Sequence, residues 1–164
     1  MTAQVPDVTP SGTTAHPSAG IPARIHIDAI SVASPVVPVG LEGDGTLGLP
    51  PAGSAAWYSL GVRPGERGYS VIAAHVDNHR GPDVFYQLRK LKTGDRVVIA
   101  DIDGGSHTFE VQHVEQQPKQ TLPTSTIWEP VEHPRLALIT CGGAFDRSTR
   151  SYRDNVVVHA ALLQ

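Results

Sequence analysis

Apolar and polar positions alternate along most of the chain in short runs separated by prolines and glycines. Ile21-Pro22-Ala23-Arg24-Ile25-His26-Ile27 sets apolar side chains at nearly every second residue, the period of a strand with one buried face. Residues 31–39 predict a second strand, and Pro35 and Pro38, which cannot donate to a ladder, assign it to an edge or to an irregular stretch. Tyr69-Ser70-Val71-Ile72-Ala73-Ala74-His75 is apolar almost throughout and reads as a central strand covered on both faces. Residues 96–100 and 107–114 form a hairpin pattern over the turn signal Asp103-Gly104-Gly105, and residues 135–140 and 155–162 supply two closing strands. Two stretches carry a helical signal. Val84, Leu88 and Leu91 recur at i, i+4 and i+7, predicting a short helix over 83–91 capped by Asp83, and residues 55–58 predict one helical turn. Residues 40–53 and 118–133 read as loops, the second with one helical turn. Seven or eight strands with short helical insertions predict an all-β fold, a closed or nearly closed β-barrel.

Composition narrows this picture. The 164 residues suffice for one hydrophobic core, not two. Residues 1–20, rich in Pro, Ser, Thr, Ala and Gly, lack the apolar surface to offset ordering and read as a flexible tail, so the folded domain is expected over 21–164. A net charge of -3 argues against a nucleic-acid partner, which calls for a basic patch. No apolar run reaches the length of a membrane span, and no signal-peptide core is visible.

The candidate chemistry centres on Cys141, the one cysteine of the chain, which follows the apolar run 135–140 and precedes Gly142-Gly143. A lone cysteine is either a buried apolar filler or a reactive thiol. His75 closes the central strand as Cys141 closes another, and neighbouring strands bring such ends within reach of one substrate. Histidine is the usual base for a thiol nucleophile. An arginine leading into the last strand offers a permanent cation for a substrate carbonyl or an oxyanion. Arg153 is favoured because it stands two residues before Asn155 and shares its strand face; Arg150 is the alternative. His75 and His79 do not make a metal pair, since Asp77-Asn78 and Gly81-Pro82 predict a turn there. His26, His107, His113 and His159 read as surface or rim positions, and no metal or cofactor is assigned. Leu122-Pro123-Thr124-Ser125 reads as loop, and Trp57 and Trp128 as cover for the barrel or its groove.

Ala74-His75-Val76-Asp77, Ala137-Leu138-Ile139-Thr140-Cys141 and the arginine before the last strand, in that order, resemble the motifs of the sortases, cysteine transpeptidases of Gram-positive cell surfaces. The family's Thr-Leu-x-Thr-Cys pattern has Ala137 in place of its first threonine. Cys141-Gly142-Gly143-Ala144-Phe145-Asp146, Tyr152-Arg153-Asp154-Asn155, Gly81-Pro82 and Val84-Phe85-Tyr86 resemble the actinobacterial branch called class F. The resemblance covers residues 21–163. It implies an eight-stranded sortase barrel with short helices and 3-10 turns in its connections. It further implies cleavage of a Leu-Pro-x-Thr-Gly-like sorting signal between Thr and Gly by Cys141, with His75 as acid and base and Arg153 or Arg150 on the oxyanion. Ala74, Thr140 and Asn155 are expected to line the substrate. The implied partners are sorting-signal proteins and an amine acceptor from peptidoglycan or a pilin lysine. A monomer is expected, on the extracellular face of the membrane, held by an N-terminal anchor outside this chain. Two other readings stay open: a thiol peptidase with water as acceptor, and a non-catalytic β-barrel binding module with a structural Cys141.

Overall fold

The computed structural model describes residues 19–119, 127 and 129–163. The expectations for the tail, apart from Ala19 and Gly20, and those for residues 122–125 and Trp128 fall outside this range. Ten strands are present among the described residues: β1 (Pro22–Ile27), β2 (Val32–Val39), β3 (Ala55–Tyr58), β4 (Gly68–Ala73), β5 (Asp77–Asn78), β6 (Gly81–Pro82), β7 (Arg96–Asp101), β8 (Ser106–Pro118), β9 (Pro134–Asp146) and β10 (Ser151–Leu162). Eight of them close a barrel in the order β1-β2-β3-β4-β9-β10-β8-β7, and β5 and β6 form a separate small hairpin. β2 and β3, and β4 and β9, run parallel; the other neighbours are antiparallel.

An eight-stranded barrel has an interior just wide enough for side chains to fill it. Here alternate residues do so: Ile25 and Ile27 of β1, Ile72 of β4, Phe109 of β8, Leu138 of β9 and Val158 of β10 belong to one buried cluster. A second, smaller cluster lies on the outer wall, where Val71, Ala137 and Val157 are covered by Ile127 from the β8–β9 connection. β4, β9 and β10 are thus buried on both faces at their centres, which accounts for their nearly unbroken apolar runs.

The expected barrel is present, with corrections to its parts. Residues 55–58 form β3 rather than a helical turn: Ala55, Ala56 and Trp57 are all buried, and the run pairs in parallel with Val36–Val39. A four-residue apolar run has too little length for its period to distinguish helix from strand. Residues 83–91 contain only a 3-10 turn at Leu88–Lys90. The residues that go inside are Phe85, Leu88 and Leu91, a spacing of three that suits the 3-10 helix, while Val84 is only partly buried. Asp83 does not cap a helix; its carboxylate is engaged elsewhere. β2 accommodates its prolines because it exchanges partners midway. Its first half, through Pro35, pairs with β1, and its second half, from Val36, pairs with β3, so each proline keeps one free side. β9 continues to Asp146, so Cys141 lies inside a strand rather than at its exit. His107 and His159 are buried, not rim residues.

Candidate active site

β9 runs between β4 and β10, and its alternation turns Leu136 and Leu138 into the barrel and Ala137 onto the outer wall. Cys141 continues the outer series, and its side chain is partly buried. Thr140 points the other way and is buried. Its Oγ1 donates a 2.7 Å hydrogen bond to the Ala74 carbonyl, fastening the end of β4 to β9. The Ala74 amide donates to Ile139 O at 3.2 Å, extending the parallel ladder beyond its last pair, Ala73 with Ile139. His75 follows two residues beyond the end of β4, past the last ladder pair. On the other flank, Asn155 of β10 pairs directly with Cys141. Cys141 and Asn155 therefore stand at one level on adjacent strands, and His75 follows the end of β4, the strand on the other flank of β9.

The His75 ring is held by the neighbouring loops. Its Nε2 lies 2.9 Å from the Pro50 carbonyl, and because a carbonyl only accepts, Nε2 carries the hydrogen and Nδ1 is left for other exchange. The His75 carbonyl accepts from the Phe85 amide at 3.0 Å. Asp83 connects the segments on either side: its carboxylate accepts from the Gly53 amide (2.9 Å), the Asn78 side chain (2.7 Å) and the Val84 amide (2.8 Å). Partial burial pushes the Asp83 carboxyl upward, yet these three donors, with a smaller pull from His75, outweigh it and hold the group below the usual carboxylate range.

Cys141 opens into a pocket of about 180 Å³ lined by Gly142, Val76, Tyr86, Arg89 and Tyr152. Tyr152 donates its hydroxyl to the Asp77 carboxylate, joining β10 to the small hairpin that follows His75. That bond, then desolvation and the negative charge of Asp77, pushes the phenol up to about 12. A bulge accompanies these contacts: the β9–β10 register shifts between Tyr152 and Asp154, and Gly143 takes φ +73°. A Cβ at Gly143 would overlap the Asp154 carboxylate, and one at Gly142 would stand 2.7 Å from Val156 Cγ2, so only glycine fits at both positions.

Among the expected site residues, Thr140 bonds the Ala74 carbonyl and Asn155 pairs with Cys141, while His75 follows Ala74 beyond the end of β4. Arg153 is on β10 as expected, but the bulge interrupts the simple alternation that linked it to Asn155. Its side chain is 68% exposed and lies 3.6 Å from the Asp146 carboxylate. Arg150 sits outside the strand in the preceding turn, exposed, at φ +53°. The cation lining the Cys141 pocket is Arg89, which the sequence reading did not single out. Tyr86 and Arg89 are three apart, one residue beyond the buried Phe85 and Leu88, so a period of three read at this point would have set them on one face.

Comparison with known proteins agrees with this architecture. The family model for the sortase domain matches residues 25–163, and the chain belongs to the sortase family. Its fold is similar to sortase A from Corynebacterium diphtheriae (18% identity, 90% of this chain and 62% of that one, TM-score 0.66). It is also similar to sortase C-1 from Actinomyces oris (19% identity, 87% and 73%, TM-score 0.66). A third likeness is to the Clostridium perfringens sortase D5 transpeptidase (21% identity, 87% and 79%, TM-score 0.65). The chain thus spans under two thirds of the length of the Corynebacterium enzyme. No curated protein sequence matches it. Among the described residues, no helix is long and apolar enough to cross a membrane.

Proposed function

We propose that this domain is a cysteine transpeptidase acting on a Leu-Pro-x-Thr-Gly-like sorting signal, of the class F kind. The reading is supported by the position of His75 just beyond the end of β4, the strand that pairs with β9, and by Cys141 lining a pocket rather than the core. Cys141 gives its proton to His75, and Sγ adds to the Thr carbonyl carbon. The Thr–Gly bond breaks as the glycine amine takes that proton from His75, leaving a thioester. An acceptor amine then loses a proton to His75 and displaces Sγ, which recovers its proton. Arg153 stabilises the oxyanion of each addition. Its present partner Asp146 is a weak competitor, because an exposed ion pair is worth only about 0–1 kcal/mol. Arg150 is the alternative. Thr140 and Ala74 fix the level of the thiol, and Asn155 flanks the substrate. The natural acceptor is an amine of peptidoglycan or a pilin lysine, and the domain works at the extracellular face of the membrane.

A quenched Leu-Pro-x-Thr-Gly peptide, incubated with and without a glycine oligomer, tests this. Product joined to the oligomer supports the transpeptidase. Cleavage without joining moves the assignment to a thiol peptidase, and failure to form any acyl-enzyme leaves a binding barrel with an unreactive Cys141.

A further inference from the structure

A second cluster of chemically capable side chains lies on the outer wall of the barrel, away from the Cys141 pocket. The β8–β10 register slips between His159 and Ala160: Ala160 pairs with Val111 and His159 with His113, so Gln112 is an extra residue in β8. The slip resets the alternation of β8. Val111 fills the barrel, yet His113 and Glu115 come out on the same wall as His159. The ligand-capable atoms of His113, Glu115 and His159 lie within 4.8 Å of one another.

We propose that His113, Glu115 and His159 form a binding site for a divalent transition-metal ion, Zn²⁺ being the best match to two imidazoles and one carboxylate. His113 and Glu115 occur at i and i+2 on one strand, and His159 faces them from the next, three donors that leave a fourth position open to water. The supporting contacts are those that metal ligands require. Tyr69 OH sits 3.2 Å from His159 Nδ1, which orients the ring and leaves Nε2, 2.8 Å from Glu115 Oε1, as the coordinating atom. The other Glu115 oxygen accepts from Gln117 Nε2 at 2.8 Å. His113 stacks on His159 with ring centroids 4.3 Å apart. Coordination requires His113 to turn out of this stack, and its exposure leaves room for that. The opposing charge is Arg135 of β9, whose field reaches both Tyr69 and His159.

The test uses the full chain carrying Cys141→Ala, so that the thiol cannot take the ion, stripped with a chelator and titrated with Zn²⁺ at about pH 7.5, where free imidazole is neutral. One equivalent is expected to bind. His113→Ala and Glu115→Gln, both at accessible positions, are each expected to weaken binding at least about tenfold, and Tyr69→Phe by about 10- to 100-fold as an outer-shell change. Arg135→Gln is expected to strengthen it. Unchanged thermal melts of the metal-free variants show that the fold persists. The proposal is overturned if no saturable binding occurs, or if binding survives both His113→Ala and Glu115→Gln. Because neither the probe nor the readout involves peptide turnover, the result is independent of the transpeptidase reading.

Discussion

Tyr152→Phe removes one hydroxyl and tests whether the link between β10 and the hairpin after His75 matters. The lost bond runs from the phenol to the Asp77 carboxylate, and hydrogen bonds to charged groups contribute about 1.5–3 kcal/mol. A shift of the phenol from 10.0 to about 12 corresponds to roughly 2.7 kcal/mol at 1.36 kcal/mol per unit. Tyr152 is only partly buried, and solvent screens the interaction, so the expected loss of unfolding free energy is about 1 kcal/mol. The sign with pH follows from the raised value. The contribution is complete below the unfolded phenol value near 10 and disappears as pH rises through about 12. Urea melts of both proteins should differ by a constant amount at neutral pH and converge in strong alkali. If the link also positions the segment that carries His75, turnover of the quenched peptide should fall about fivefold, the kinetic equivalent of about 1 kcal/mol, mainly in kcat. Identical melts and identical turnover would refute the reasoning, and an equal loss at all pH values would show that ring packing, not the hydrogen bond, is responsible.

Other outcomes follow from the same geometry. Cys141→Ala should abolish the acyl-enzyme detected by mass spectrometry while changing stability by less than about 1 kcal/mol, since the side chain lines an open pocket. Arg153→Ala should reduce kcat by about 10²–10³, the usual effect of losing an oxyanion donor, and Arg150→Ala should leave it within about threefold; the reverse order would transfer the role to Arg150. Asp83→Ala frees three donors around His75 and should lower stability by about 1–3 kcal/mol in urea melts. Because the Asp83 carboxyl is held low, this difference should persist above its unfolded value of 3.8 and vanish as pH falls through the lower folded value. For His159 the folded value is depressed, so the unfolded chain binds the proton first. Stability should decline as pH drops below the unfolded value of 6.5, with a shallower decline in His159→Gln; a steeper one would contradict the burial argument.

The sequence revealed the strands whose chemistry is local and concealed the features that depend on pairing. Ile25, Ile27, Phe109 and Val111 alternate visibly because each strand has one wall to fill. The apolar runs before His75 and Cys141 were also legible, and they form the neighbouring strands β4 and β9. The Gly143 bulge was not, because a register slip is a property of two strands together, and it altered the assumed relation of Arg153 to Asn155. The slip at Gln112 hid in the same way: simple alternation along β8 kept His113 from facing His159. Arg89 escaped notice for another reason. Its segment carries both a helical i, i+4 pattern and a 3-10 spacing of three, and only tertiary burial of Phe85, Leu88 and Leu91 selects the second.

The partner exchange in β2 makes the barrel uneven around its circumference. β3 meets β4 through only two register pairs, Ala56 with Ala73 and Trp57 with Ile72, whereas β9 and β10 share ten. A closed ring yields first at its weakest join, so transient opening should begin at β3. The fastest-exchanging strand amides would then belong to β3, and the slowest to β9 and β10. Cys141 and Asn155 sit on the slow side, and β4, which leads to His75, remains joined to β9 by six pairs. The molecule can breathe at one seam while the wall that carries Cys141 stays assembled.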